Sequence, residues 1–239
     1  MSAHGFASLL RLLRQESDAF SACLEHDLSV PVPHCGDWTL RDLAEHMGRG
    51  NRWAAVAVTD KRGDYEAPPA PRVDTEVRGW FDASADELLA VLDTDPAVEA
   101  WTFSPPHTVG FWQRRRAQET LIHRWDAQNA LGGGLPLGPE LAADGVAEVF
   151  DTMAPRQIAR GRAEPPRHAL RFRATDIGQS WTYGPGEPVA EISGTAERSC
   201  YGVTRPTPRE GFQRARGRSA LPPPAQPTGG GLPRGSPAW

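Results

Sequence analysis

The chain has 239 residues, a formal net charge of −4 and 39% hydrophobic residues. That leaves room for one large domain or two modest ones, and no run approaches the ~20 apolar residues of a membrane span. Nucleic-acid binding is excluded by charge. The last forty residues hold six arginines and one glutamate, which leaves −9 on residues 1–199, and an acidic body does not attract phosphate backbones.

Cys23, Cys35 and Cys200 form no CxxC pair. So sparse and odd a set argues for a reducing compartment, and with no signal peptide visible the cytoplasm is the expected location. Lys61 is the only lysine, so 25 of the 26 basic residues are arginine, which suggests a GC-rich coding sequence.

Residues 3–28 carry Leu9, Leu10, Leu12, Leu13, Phe20, Cys23 and Leu24 at helical spacing, and Val30-Pro-Val-Pro33 ends the run. Thr39 with Asp42 three later reads as a capping box, with Asp in place of the usual Glu. It opens a second helix over 40–58, on which His46 shares a face with Leu43, Trp53 and Ala57, and Gly50 leaves space one turn on. A Pro-rich loop over 59–72 precedes a third helix over 73–92, ended by Thr94-Asp-Pro96. Residues 97–110, with Trp101 and Phe103, read as irregular and as a pocket rim.

The next helix is expected over 114–131, stopped by Gly132-Gly-Gly134. Glu119 and His123 project from one face of it, with Asp126 three residues further. A carboxylate and an imidazole so placed make half of a metal site; the alternative is a surface Glu–His pair. His46 is a candidate third donor, its alternative being a hydrogen-bonded core histidine. Arg49, Arg52, Arg115 and Arg116 are candidates for binding substrate carboxylates, although solvated helix faces account for most such arginines. Cys35 reads as an ordinary small residue.

A further helix is expected over 139–159, with Pro139 in its first turn. Four principal amphipathic helices without a convincing strand can bury their stripes only against one another, as a bundle. After Arg160 the pattern alternates: residues 167–174, 179–184 and 188–193 read as strands. Residues 200–239 hold eight prolines and seven glycines, too little apolar surface to offset chain entropy, so disorder is expected. Ser199-Cys-Tyr-Gly-Val203 admits codons whose shifted frame spells Leu-Leu-Leu-Trp-Gly, an apolar helix, so residues beyond about 198 read as a frameshifted translation.

Asp37-Trp-Thr-Leu-Arg-Asp-Leu-Ala-Glu-His46, together with Arg115-Arg-Ala-Gln-Glu119-Thr-Leu-Ile-His123-Arg-Trp-Asp126-Ala, resembles the mycothiol-dependent maleylpyruvate isomerase family of the DinB-like metal-binding bundles. The likeness covers roughly residues 5–155, and Gly-Thr-Ala at 194–196 resembles the approach to the last helical part of the family's C-terminal domain. The resemblance implies a mainly α fold with a DinB-like four-helix bundle over 1–160; with the pattern read above, a small, incomplete α/β domain over 161–198 and a disordered Pro/Gly/Arg-rich tail over 199–239, read as frameshifted, follow the bundle. It implies His46, Glu119 and His123 as ligands of a divalent metal, usually zinc, with Asp126 orienting one of them. It also implies mycothiol as thiol cosubstrate, and thiolate addition to a small electrophile by cis–trans isomerisation or S-transfer. The rival expectation is a metal-binding or ligand-sensing protein without catalysis, or one inactivated by its altered C-terminus.

Overall fold

The computed structural model describes residues 3–204 and 213–214. It divides into two compact units, Met1–Leu137 and Gly138–Trp239. The first has only helices as regular elements among its described residues: α1 (Ala3–Cys23), α2 (Leu40–Thr59), α3 (Asp74–Leu92) and α4 (Val109–Ala130). No helix among the described residues is long and apolar enough to cross a membrane.

α2 packs on α3 and α4, and α1 packs on α4 and α3. Phe20 of α1, Leu40, Leu43 and Met47 of α2, and Val77 and Phe81 of α3 share one buried cluster. The stripes at helical spacing are therefore what hold the bundle together. Two boundaries differ from expectation. α1 ends at Cys23 rather than near residue 28, where single turns take over from the helical ladder. α4 begins at Val109, five residues early, because Thr108 takes the extended cap conformation and the 97–108 segment is fixed by backbone bonds such as Val109 N–H to Val98 O.

The start of α2 is set locally. Asp42 N–H donates to Thr39 Oγ1 at 3.3 Å and Thr39 N–H donates to Asp42 Oδ2 at 2.8 Å, closing the capping box. Backbone bonds from Leu40 to Val30 and from Arg41 to Leu28 tie the segment before α2 back on itself. Two glycines let α2 approach its neighbours. A Cβ on Gly48 would stand 2.1 Å from the Trp80 indole of α3, and one on Gly50 would stand 2.8 Å from Arg116 Nη1 of α4.

α4 is buried on nearly every side, Arg115, Arg116, Glu119, His123, Arg124 and Asp126 included. It meets α2 in layers that follow from seven-residue spacing on both helices. Trp53 lies edge-on to Trp112 with ring centroids 5.0 Å apart, Gly50 faces Arg116, and His46 faces Glu119 at 3.0 Å.

The second unit contains α5 (Pro139–Glu148), a π turn (Val149–Met153), α6 (Ala154–Ala159), β1 (Ala169–Ala174), β2 (Gln179–Tyr183), β3 (Pro188–Gly194), α7 (Ala196–Thr204) and β4 (Gln213–Arg214). The sheet order is β2-β1-β3-β4, with β1 antiparallel to β2 and parallel to β3. The helix expected over 139–159 is present as one continuous helical stretch with a π turn inside it, and it falls in this unit rather than in a bundle reaching residue 160. The reason is packing: α5 lies on α7, and Phe150 stacks on Tyr183 at 4.8 Å. The tail expected from residue 199 also needs correcting at its start. Ser199 and the fully buried Cys200 belong to α7, and Gln213 and Arg214 pair with β3. The rest of that expected tail, 205–212 and 215–239, lies outside the described residues.

Gly48→Ala is expected to destabilise the protein by about 1–3 kcal/mol, since the indole must shift to admit a methyl group. Gly79→Ala, on an exposed face of α3 with nothing within 4 Å, is expected to stabilise it by about 0.5–1 kcal/mol through helix propensity. Urea unfolding of the two variants against wild type checks both signs.

Candidate metal centre

α4 has 3.6 residues per turn, so Glu119 and His123 stack one turn apart and Asp126 lies nearly a turn beyond. His46 reaches them from α2. Glu119 Oε1 sits 3.0 Å from His46 Nε2 and 3.3 Å from His123 Nε2. The donor atoms of these three residues all lie within 4.8 Å of one another. The other ring nitrogen of His123 is 2.9 Å from Asp126 Oδ2, and Cys35 Sγ–H donates to that same oxygen at 3.6 Å. Arg115, one turn before Glu119, donates to its second oxygen, Oε2. The Trp38 ring packs against His46, with centroids 5.0 Å apart.

Burial is graded across the cluster. The side chains of Asp126, His123 and Glu119 are 0%, 3% and 6% exposed, whereas His46 is 24% exposed. His46 is therefore the most solvent-accessible member of the cluster.

The electrostatics follow from this packing. Burial would raise the Glu119 carboxyl, but the Arg115 cation and the bonds to His123 and His46 hold it well below the usual carboxylate range. Burial lowers His46, against the pull of Glu119, so it is a neutral imidazole at physiological pH. Burial also disfavours a charge on His123, yet its bonds to Asp126, Cys35 and Glu119 push it up to about 10. Arg116 is lowered by burial to about 10 and stays charged. It donates to Asn51 Oδ1 at 2.7 Å, Asn51 donates to Ser84 Oγ at 3.1 Å, and Ser84 donates to Phe81 O at 2.6 Å. A polar thread thus runs from α4 through α2 to α3.

The donor set suits a divalent metal. Two imidazoles and a carboxylate are a three-ligand set that leaves one position open. Ligands at about 2.0–2.1 Å in tetrahedral array stand about 3.3 Å apart, close to the 3.0 and 3.3 Å that separate Glu119 Oε1 from the two imidazoles. A carboxylate on the far nitrogen of a ligand histidine is the usual orienting arrangement, and Asp126 occupies that position. Cys35, His123 and Asp126 form a second close group. It is buried throughout, which makes it a brace for His123 rather than an open site.

Of the residues singled out from sequence, His46, Glu119, His123 and Asp126 are brought together. Arg115 and Arg116 lie on no solvated face: Arg115 pairs with Glu119, and Arg116 is sealed under Gly50. Arg49 pairs with Glu45 and Glu66, and Arg52 lies over the Trp80 ring with its centre 4.6 Å from the centroid. Of the other histidines, His107 bonds Thr102 at 2.7 Å and His34 lies against Trp125. Cys35 is the residue that sequence reasoning missed. Its distance in sequence from Asp126, 91 residues, left no periodic signal; the four-residue step from Arg115 to Glu119 was a signal that could have been followed.

The fold and the site define a class: a helical bundle whose core presents two histidines and a carboxylate to one point. Residues 10–128 match the family model for the mycothiol maleylpyruvate isomerase N-terminal domain. The uncharacterized protein Rv0036c of Mycobacterium tuberculosis is 30% identical over 219 residues, spanning 81% of this chain and 83% of its own. The uncharacterized protein Rv0738 of the same organism is 31% identical over 163 residues, spanning 64% and 82%. Two crystal structures of mycothiol-dependent maleylpyruvate isomerase, one of a histidine-to-alanine mutant, share the fold. Their TM-scores are 0.64 and 0.65 at 17% identity, over 93% of this chain and 99% of theirs. The chain belongs to the mycothiol-dependent maleylpyruvate isomerase family.

The raised His123 value gives a pH dependence for the chelator-treated protein. An unfolded histidine titrates near 6.5, so the folded state holds a proton that the unfolded chain has lost between about 6.5 and 10. That stabilisation is complete below the unfolded value and disappears as pH rises through the folded one. Urea midpoints of the chelator-treated protein should fall across this window, and His123→Ala should remove that part of the slope. An unchanged slope in the variant contradicts the assignment.

Proposed function

We propose that this chain is a metal- and mycothiol-dependent enzyme that adds a thiolate to a small electrophile. The observation that carries the reading is the convergence of His46 Nε2, Glu119 Oε1 and His123 Nε2 within 4.8 Å in the core of the bundle. In this reading those three residues hold a divalent ion, with zinc the metal best suited to the donor set. Such an ion, when bound, would supply Lewis acidity that favours the deprotonated form of a thiol.

The chain's own groups support that task in distinct ways. Asp126 fixes the ring orientation of His123 and, by accepting from Nδ1, directs Nε2 toward Glu119. Arg115 offsets the Glu119 charge. Trp38 and the more exposed His46 form the approach. The chemistry is either addition to an activated double bond, rotation about the resulting single bond and expulsion of the same thiolate, or displacement of a leaving group by sulfur. No cysteine of the chain need act: Cys23 and Cys200 are raised by burial to about 11 and about 12, and are not thiolates at physiological pH, while Cys35 is buried and gives its Sγ–H to Asp126 Oδ2. Three unpaired thiols are consistent with action in the cytoplasm.

Purified protein is expected to contain about one zinc per chain, and His123→Ala to contain none; unchanged metal content in the variant defeats the ligand assignment. Asp126→Asn is expected to weaken metal affinity by about 10–100-fold, measured by competition with a chromogenic chelator. With mycothiol and a panel of small electrophiles, zinc-loaded protein is expected to give thiol-dependent turnover. Metal binding without turnover of any substrate would instead favour a binding protein.

A further inference from the structure

The arginine one turn before Glu119 has no part in the ligand set, and helix stability does not account for its pairing. On a helix, an i, i+4 pair stabilises more with the acid first and the base second; here Arg115 precedes Glu119. The pair is also nearly buried, with Arg115 10% and Glu119 6% exposed. Burying two such groups carries a desolvation penalty that the pair's attraction only partly offsets.

What the pair does is divide the two oxygens of one carboxylate. Oε2 accepts from Arg115, while Oε1 faces both His46 and His123. An unrestrained carboxylate can turn both oxygens onto one cation. We infer that Arg115 is a positioning residue that keeps Glu119 a one-oxygen donor, so the site retains a vacant position for an external sulfur. This rests on the reading of His46, Glu119 and His123 as metal ligands. Arginine suits the task because its guanidinium is always charged and its planar donors hold a carboxylate in a fixed orientation.

Coordination number is the direct readout, and cobalt(II) reports it by colour. Full-length protein loaded with one equivalent of Co²⁺ is expected to show the intense visible bands of four-coordinate cobalt. Arg115→Met should lose them in favour of weak five-coordinate bands, as Oε2 turns to the metal. Arg115→Gln, too short to reach Oε2, should give the same loss, and it serves if the methionine variant does not fold by circular dichroism. Arg115→Lys, which keeps a cation within reach, should restore the intense bands. Wild-type spectra in the folded Met and Gln variants at full cobalt occupancy would overturn the positioning role while leaving the ligand set standing. Failure of the wild type to take up Co²⁺ would overturn the ligand set itself, and the positioning role with it.

Discussion

Charge buried in the middle of α4 is the constraint around which the rest of the bundle is arranged. Four ionisable groups one turn apart along one helix, Arg115, Glu119, His123 and Asp126, are almost wholly removed from water. None can be left alone there, since stripping the partner from a buried charge costs about 3–5 kcal/mol. They satisfy one another in sequence: cation to carboxylate, carboxylate to imidazole, imidazole to carboxylate. Cys35 meets Asp126 at one end, and His46 meets Glu119, each from another segment. The core is thus specified by complementarity of charge as well as by shape.

That demand explains several choices made elsewhere. Arg116 needs a cleft, and Gly50 provides it because any side chain at that position would meet the guanidinium. Asn51 and Ser84, polar residues in apolar stripes, carry the hydrogen bonds of Arg116 across to the third helix. On either side of this polar layer the packing is conventional. The Trp53, Trp101, Phe103 and Trp112 rings lie above it, and the Phe20, Leu43, Met47 and Phe81 cluster lies below. Arg124 does a separate job, binding Glu16 at 2.6 Å and Leu135 O at 2.7 Å, and so anchors the chain that leaves α4 to the first helix.

Much of this was legible in the residues. α1, α2 and α3 announce themselves by apolar stripes at helical spacing, and Thr39–Asp42 marks the start of α2 to the residue. Three of the four described strands of the second unit, β1, β2 and β3, follow from alternation between glycine and proline turns. α4 was legible as a helix and as the source of two core-facing candidate ligands, but the burial of its arginines was not. Its arginines and acids look like a solvated surface, because periodicity reports where apolar residues lie and says nothing about charges that neutralise each other inside. The early start of α4 was hidden for a related reason: the bonds that fix residues 97–108 are backbone bonds, which leave no side-chain signature. The transfer of α5 to the second unit was equally silent, since an apolar face does not say which surface it will meet. Cys35 shows the limit most clearly. Only the folded chain brings its thiol to Asp126.

The way the donors are distributed over the helices has a thermodynamic consequence. Glu119 and His123 come on one helix with their brace, Asp126, whereas His46 lies 73 residues away in sequence and arrives only when α2 docks on α4. Two donors are therefore a property of local structure, and the third is a property of tertiary structure. Any ligand that needs all three binds the docked arrangement and not the open one, so its binding and the docking of α2 are linked by mass action. At a free concentration a hundredfold above its dissociation constant, such a ligand adds about 2.7 kcal/mol to the docked state. Conversely, whatever loosens the Gly48–Trp80 or Gly50–Arg116 approach weakens binding without touching a donor. Occupancy of the centre thus reports on the integrity of the whole bundle.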